Sequence, residues 1–206
     1  IGSYENILYQ LYTDSELAEK IRQLNNGEVS AVARNQIRRE LRSVFWLRDD
    51  ITSITVIAKN NEQVFYDRLS TSLQTNPCIH NFDLTDDELF AALSTAKGYM
   101  IYPVRFATHF ANSDYYLFYI GHKGLNEKAI IQTDAVFLMS VDVDLIRTAL
   151  KASSFSNEEY YSFIIDQSGH VVFHPNLSCI GEFAGTSTSD LQSYITRSTV
   201  IGGKNL

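Results

Sequence analysis

Several things are scarce in this chain, and each gap excludes something. Only 3 of the 206 residues are proline, and charged residues are 20% against a hydrophobic fraction of 45%. Disorder needs low hydrophobicity and high charge, so the chain is expected to bury a core. No run of about 18 apolar residues occurs, so no segment of this stretch is expected to cross a bilayer. No signal-peptide pattern heads it either. The chain opens on Ile1 rather than Met, as expected of a fragment or a processed form. Its two cysteines, Cys78 and Cys179, fall in different halves, and such a pair leaves a disulfide and two free thiols both open. Basic residues are outnumbered 17 to 24, for a net charge of -7. Without a Lys/Arg stripe to contact phosphates, no nucleic-acid partner is expected. The longest basic cluster, Arg38-Arg39-Glu40-Leu41-Arg42, reads as a solvated helix face.

Catalytic signatures are missing as well. There is no Gly-x-Ser-x-Gly, and neither cysteine has a recognisable histidine partner. Gly202-Gly203-Lys204-Asn205 lacks the Ser/Thr and the upstream spacing of a phosphate loop. Asp86-Asp87-Glu88 stands at a helix start, where acids favour the macrodipole. His170 and His174 are four apart on a strand and share a face, but no third ligand is spaced to join them. No catalytic residue, metal site or cofactor is therefore expected, and the reading moves away from an enzyme.

What is there is a pattern that occurs twice. Ile51-Thr-Ser-Ile-Thr-Val-Ile-Ala58, a polar turn and Gln63-Val-Phe-Tyr-Asp67 form one strand–turn–strand unit. Ser162-Phe-Ile-Ile-Asp166, Gln167-Ser-Gly-His170 and Val171-Val-Phe-His-Pro175 form the second. Both read as β-hairpins, and each is followed by a helical pattern. A hairpin is marginal by itself, so two α+β modules in series are expected.

Around these units, apolar residues at near-helical spacing predict helices over 3–24 and from about Ser30 to Trp46, interrupted at Asn25-Asn26-Gly27. Their apolar stripe either packs on the following domain or forms a dimer face. Thr85 with Glu88 fits a capping box ahead of a short helix ending at Gly98. Strands follow at Tyr99–Thr108, Tyr115–Gly121 and Val136–Val141, and Asp142 caps a helix to about Ala152. The expected domain is a five-stranded, mainly antiparallel sheet with helices on one side. Divisions are expected at 1–47 (helical region), 48–152 (first module) and 153–206 (second module). The second module owes about three strands, so it is expected to be incomplete.

Four stretches resemble extracellular double-Cache (PAS-like) sensor domains of bacterial transmembrane receptors. They are the N-terminal helical region, Ile51–Ala58, Val136-Phe-Leu-Met-Ser-Val-Asp-Val-Asp-Leu-Ile146, and Phe163–Val172 with Ile180-Gly181 after it. The resemblance implies a ligand-sensing domain on the outer face of the bacterial membrane, anchored in a histidine kinase, diguanylate cyclase or chemoreceptor. A small solute would bind in the distal module, 48–152, and the N-terminal helix would relay the change. The Arg-x-Trp-Tyr stretch of the amino-acid-binding subgroup is absent, since the only tryptophan is Trp46.

The candidate pocket residues are Tyr102, Arg105, His109, Tyr116, Phe118 and Tyr119, with Asp134. Aromatic walls with few polar groups suit a small-molecule site. Arg105 would grip a carboxylate bidentately and Asp134 an amine. The same aromatics also suit a plain core with Arg105 at the surface. The alternative function is a ligand-free dimerisation or protein-interaction module.

Overall fold

The N-terminal region folds as three helices where its periodicity predicts two. They are α1 (Gly2–Thr13), α2 (Ser15–Asn25) and α3 (Ala31–Ser43), the last running into a 3₁₀ turn at Val44–Trp46. The additional break falls at Asp14, which adopts an extended conformation and whose side chain accepts from the Leu17 N–H at 2.8 Å. Aspartate is a strong N-cap, and that preference overrides a continuous apolar stripe. Ser30 caps α3 in the same way, accepting from Ala33 N–H. The computed structural model describes residues 2–27, 30–68, 86–103, 108–110, 113–115, 117–124, 135–145, 148, 163–166 and 168–201. Thr85, Cys78 and most of the helix expected after Asp142 lie outside these residues.

The class is α+β. Strands β1 (Ile51–Ala58), β2 (Gln63–Asp67), β3 (Met100–Pro103), β6 (Leu117–Lys123) and β7 (Ala135–Asp142) form one antiparallel sheet in the order β2-β1-β7-β6-β3. A separate ribbon pairs β4 (Thr108–Phe110) with β5 (Ser113–Tyr115). The five-stranded antiparallel sheet is as expected. The placement of helices on one side is not.

Side chains alternate across the sheet. On one face Ile54, Val56, Phe118, Ile120, Phe137, Met139 and Val141 pack with Leu8, Leu11, Leu17, Ile21, Ile37 and Leu41 of α1–α3. On the other, Ile57, Leu117, Tyr119, Val136 and Leu138 pack with Leu89 and Leu93 of α4 (Asp86–Thr95). Helices therefore cover both faces. The cause is visible in β1 and β7, all of whose residues are buried. A sheet wetted on one face would alternate apolar and polar, whereas one covered on both reads as nearly continuous apolar sequence.

A polar latch ties the start of α1 to the start of β1. Tyr4 donates its hydroxyl to Asp50 Oδ2 at 2.6 Å, and Arg48 donates Nε to Asp50 Oδ1 at 2.8 Å. Arg48 also reaches Ser3 Oγ and lies 4.4 Å over the Tyr4 ring. Burial pushes the Asp50 carboxyl up, but the hydrogen bonds from Arg48 and Tyr4 and the Arg48 charge outweigh it, so it lies below its ordinary value. Asp50→Ala would leave the Tyr4 hydroxyl without its acceptor and is expected to cost about 2 kcal/mol, discounted for the partly exposed Arg48. Because the folded value is depressed, this contribution is full above about pH 4 and is lost as pH falls through the folded value. Urea unfolding of wild type and variant at pH 7 and pH 3 checks this, since the gap between the two stabilities should narrow in acid.

The C-terminal residues form the second hairpin, β8 (Ile164–Ile165) with β9 (Val171–Phe173), then a 3₁₀ turn (Leu177–Cys179) and α5 (Thr188–Ile201). Asp166 Oδ1 accepts from Ser168 and His170 N–H, closing the turn. Residues 181–184 return along β9: Val171 N–H donates to Glu182 O, and Phe183 bridges His170. The hairpin has two allegiances. Val171 packs with Cys179, Ala184 and Tyr194, whereas Val172, Phe173 and Ile180 join the core under α1–α3. No disulfide occurs among the described residues, and Cys179 is buried.

Candidate functional site

The strand register places one polar residue from each of the five strands in a single row across the sheet. Tyr102 faces Tyr119, Tyr119 faces Ser140, Ser140 faces Ser53, and Ser53 faces Asp67. All five lie on the face that α4 shares. Tyr119, Ser140, Ser53 and Asp67 are buried, and Tyr102 is partly buried. The neighbouring row on the opposite face is mostly apolar: Ile101, Ile120, Met139 and Ile54 stand in register there and Tyr66 ends it. Buried polar side chains are costly unless bonded, and Ser53 and Ser140 bond each other within the row.

Local structure builds the row. A bulge in β1 between Ile51 and Ser53 brings two consecutive hydroxyls onto one partner. Thr52 Oγ1 lies 2.7 Å from Ser140 Oγ, and Ser53 Oγ bonds the same atom. Ser140 is thus the node of a three-hydroxyl cluster at the centre of the sheet. One row further along, Gly121 has no side chain, and a Cβ there would lie 2.6 Å from Leu93 Cδ2. That gap lets α4 settle over Gly121 and Leu138, one pleat away from the polar row.

The electrostatics of this face are acidic and hydroxylic. Burial pushes the Tyr102 phenol up, so it stays a neutral donor. Asp142, opposite Leu117 beyond the row, is raised by burial and partly held down by the N–H groups of Asp144 and Leu145. Hydroxyls and phenols beside aromatic rings are the group types that recognise a small polar solute. Among the described residues this face holds no nucleophile–base pair of the kind covalent chemistry requires.

The sequence candidates separate. Tyr102 and Tyr119 stand side by side in the row. Phe118 points the other way, edge-on to Tyr4 of α1 at 6.3 Å, so it belongs to the core under the helices. Neighbouring strand residues alternate faces, so Phe118 and Tyr119 cannot share one wall. His109 is in β4, in register with Asp114. Arg105, Tyr116 and Asp134 lie outside the described residues. His174 is buried, with Nδ1 accepting the Asn176 N–H at 2.9 Å, while His170 packs against Phe183. Ser140, Ser53 and Asp67 escaped the sequence reading. Their one signal was Ser140, a lone hydroxyl inside the apolar run Ala135–Val141.

No family model and no curated protein matches the sequence. Solved structures do match the fold. A protein described as methyl-accepting chemotaxis protein X aligns at TM-score 0.56 and 9% identity, over 95% of this chain and 78% of that one. The ligand-binding domain of the Campylobacter jejuni chemoreceptor Tlp3, solved with L-valine, gives TM-score 0.55 and 11% identity over 95% and 71%. The periplasmic sensory domain of C. jejuni Tlp1 gives 0.53 and 12% over 96% and 77%. At these identities the likeness is one of fold: this chain folds as chemoreceptor sensory domains do.

Proposed function

We propose that this chain is the extracellular ligand-sensing domain of a bacterial transmembrane receptor, in the double-Cache arrangement. The single observation carrying this reading is the polar row from Tyr102 to Asp67 on one sheet face, set against a largely apolar opposite face seated under α1–α3. One face binds and the other transmits. A small solute bound beside α4 changes the sheet, and α1, latched through Tyr4 and Asp50, relays the change towards the membrane. By linkage the ligand must bind one of the two states more tightly.

The domain itself binds without transforming its ligand, and a kinase, cyclase or chemotaxis output lies outside it. Residues 153–206 supply part of a membrane-proximal module. Tyr102 is the retained sequence candidate, with Arg105, His109, Tyr116 and Asp134 as further candidates for the same pocket. The L-valine described for one structural neighbour makes amino acids the first class to try. A second reading, a ligand-free interaction or homodimerisation module, draws on the exposure of Trp46 (83%) and Leu47 (59%).

A thermal-shift screen against amino acids, carboxylates, amines, sugars and nucleobases decides between them. A solute at a hundred times its Kd stabilises by about 2.7 kcal/mol, a rise of roughly 5–10 °C for a chain of this size. The rise should vanish in Tyr102→Ala and Ser140→Leu. A shift that survives both variants would put the solute away from the row, and no shift with any class would favour the interaction module.

A further inference from the structure

His122 of β6 is buried at the seam between α1 and the sheet, 7% exposed. Tyr12 of α1 stacks on its ring at 4.8 Å and 15°, and Tyr99 packs against it at 4.4 Å. Tyr99 also donates its hydroxyl to the Glu5 carbonyl of α1 at 2.9 Å. The imidazole is therefore held between a ring of α1 and a ring tied to α1. Its Nδ1 is buried with no hydrogen-bond partner among the described residues. In its row across the sheet it stands in register with Phe137, Val56 and Val64, so it is the one ionisable side chain there.

We propose that His122 makes the seating of α1 on the sheet proton-sensitive. The neutral ring fits between Tyr12 and Tyr99, and protonation drives it towards water and lifts α1 from β6 and β7. The receptor would then answer acidification as well as its solute, with a response that needs no ligand.

The groups facing His122 do not compensate a charge on it. From α1 comes Tyr12, with Tyr9 packed behind it and Glu5 bonded through its carbonyl to Tyr99. Tyr99 comes from the approach to β3, Phe137 from β7, and Lys123 follows on β6 itself. No carboxylate pairs with the ring among the described residues. The tyrosine faces attract a cation weakly. Burial still lowers the His122 pKa, and the Lys123 charge adds to it, while the nearby Lys123 backbone opposes this in part. With the folded value depressed, the closed state holds its full advantage above about pH 6.5. It loses up to tenfold per pH unit below that, until the folded value is passed.

Hydrogen exchange of the α1 amides between pH 8 and pH 5, corrected for the intrinsic rate and without ligand, tests this in wild type and His122→Phe. Phenylalanine keeps the aromatic sandwich and removes the proton. His174, also buried, is the same in both proteins and cancels. Opening of α1 in wild type should rise up to tenfold per unit below pH 6.5 while α3 stays protected, and the variant should stay flat. Equal pH dependence in both proteins, or α3 opening in step with α1, would overturn the proposal. Should the variant not fold, NMR titration of wild-type His122 replaces it. A midpoint below 6.5 with Tyr12 and Tyr99 shifting together supports the proposal, and a midpoint at or above 6.5 overturns it.

Discussion

Truncating Phe137 to alanine is expected to cost about 4 kcal/mol of folding stability. Phe137 is fully buried at the centre of β7 and stands in register between His122 and Val56. Its ring packs 6.4 Å from Tyr12, so it is a main contact between α1 and the sheet. The loss combines the transfer of the ring with the cavity left behind, which strands bonded on both sides close poorly. The melting temperature should fall by about 10 °C, and the urea midpoint should drop with little change in slope. A cost under about 1 kcal/mol would mean that the helices are not seated on this face as described.

The second large effect is expected at Gly169→Ala. Gly169 has φ 83°, a left-handed conformation that closes the Asp166 turn. A Cβ there would lie 2.6 Å from the Gly185 carbonyl oxygen, and that contact is backbone. An L-residue in this region costs roughly 1–2 kcal/mol before any clash, so a total of about 3 kcal/mol is expected. The damage should be local. Ala184 and Gly185 N–H both donate to Gly169 O, so the variant should release the return segment and the packing of Val171, Ala184 and Tyr194. Hydrogen exchange should show lost protection over 164–194 while β1 and β7 stay protected. Equal loss in β1 and β7 would mean that the C-terminal residues and the main sheet unfold as one unit.

The fold was legible where a local rule met no competitor. The hairpin Ile51–Asp67 and the turn at Asp166-Gln-Ser-Gly169 were readable because β-branched strands and turn residues point the same way. The layering was misread although β7 carried the clue, a strand apolar on both sides. Alternation was broken by packing on two fronts, and that excludes helices on one face only. The break at Asp14 was missed because periodicity averages over a turn, while capping acts at a single residue.

The site was half legible. Aromatic density pointed to β3 and β6, but density along a sequence does not separate the faces of a strand, so Phe118 was grouped with Tyr102. The polar row needs register, and register is set by cross-strand pairing that no single strand reveals. Ser140, Ser53 and Asp67 become neighbours only once β2, β1 and β7 are aligned. His122 was passed over for the same reason: its meaning lies in Tyr12, over a hundred residues earlier in the chain.

The central claim is that a solute binds on the sheet face carrying Tyr102, Tyr119, Ser140, Ser53 and Asp67. A crystal structure of the domain with the best stabilising solute tests it most directly. The account predicts the solute on that face beside α4, within hydrogen-bond reach of at least one of the row's side chains. A solute lodged elsewhere, with the row packed by the protein's own side chains in both free and bound forms, would contradict it.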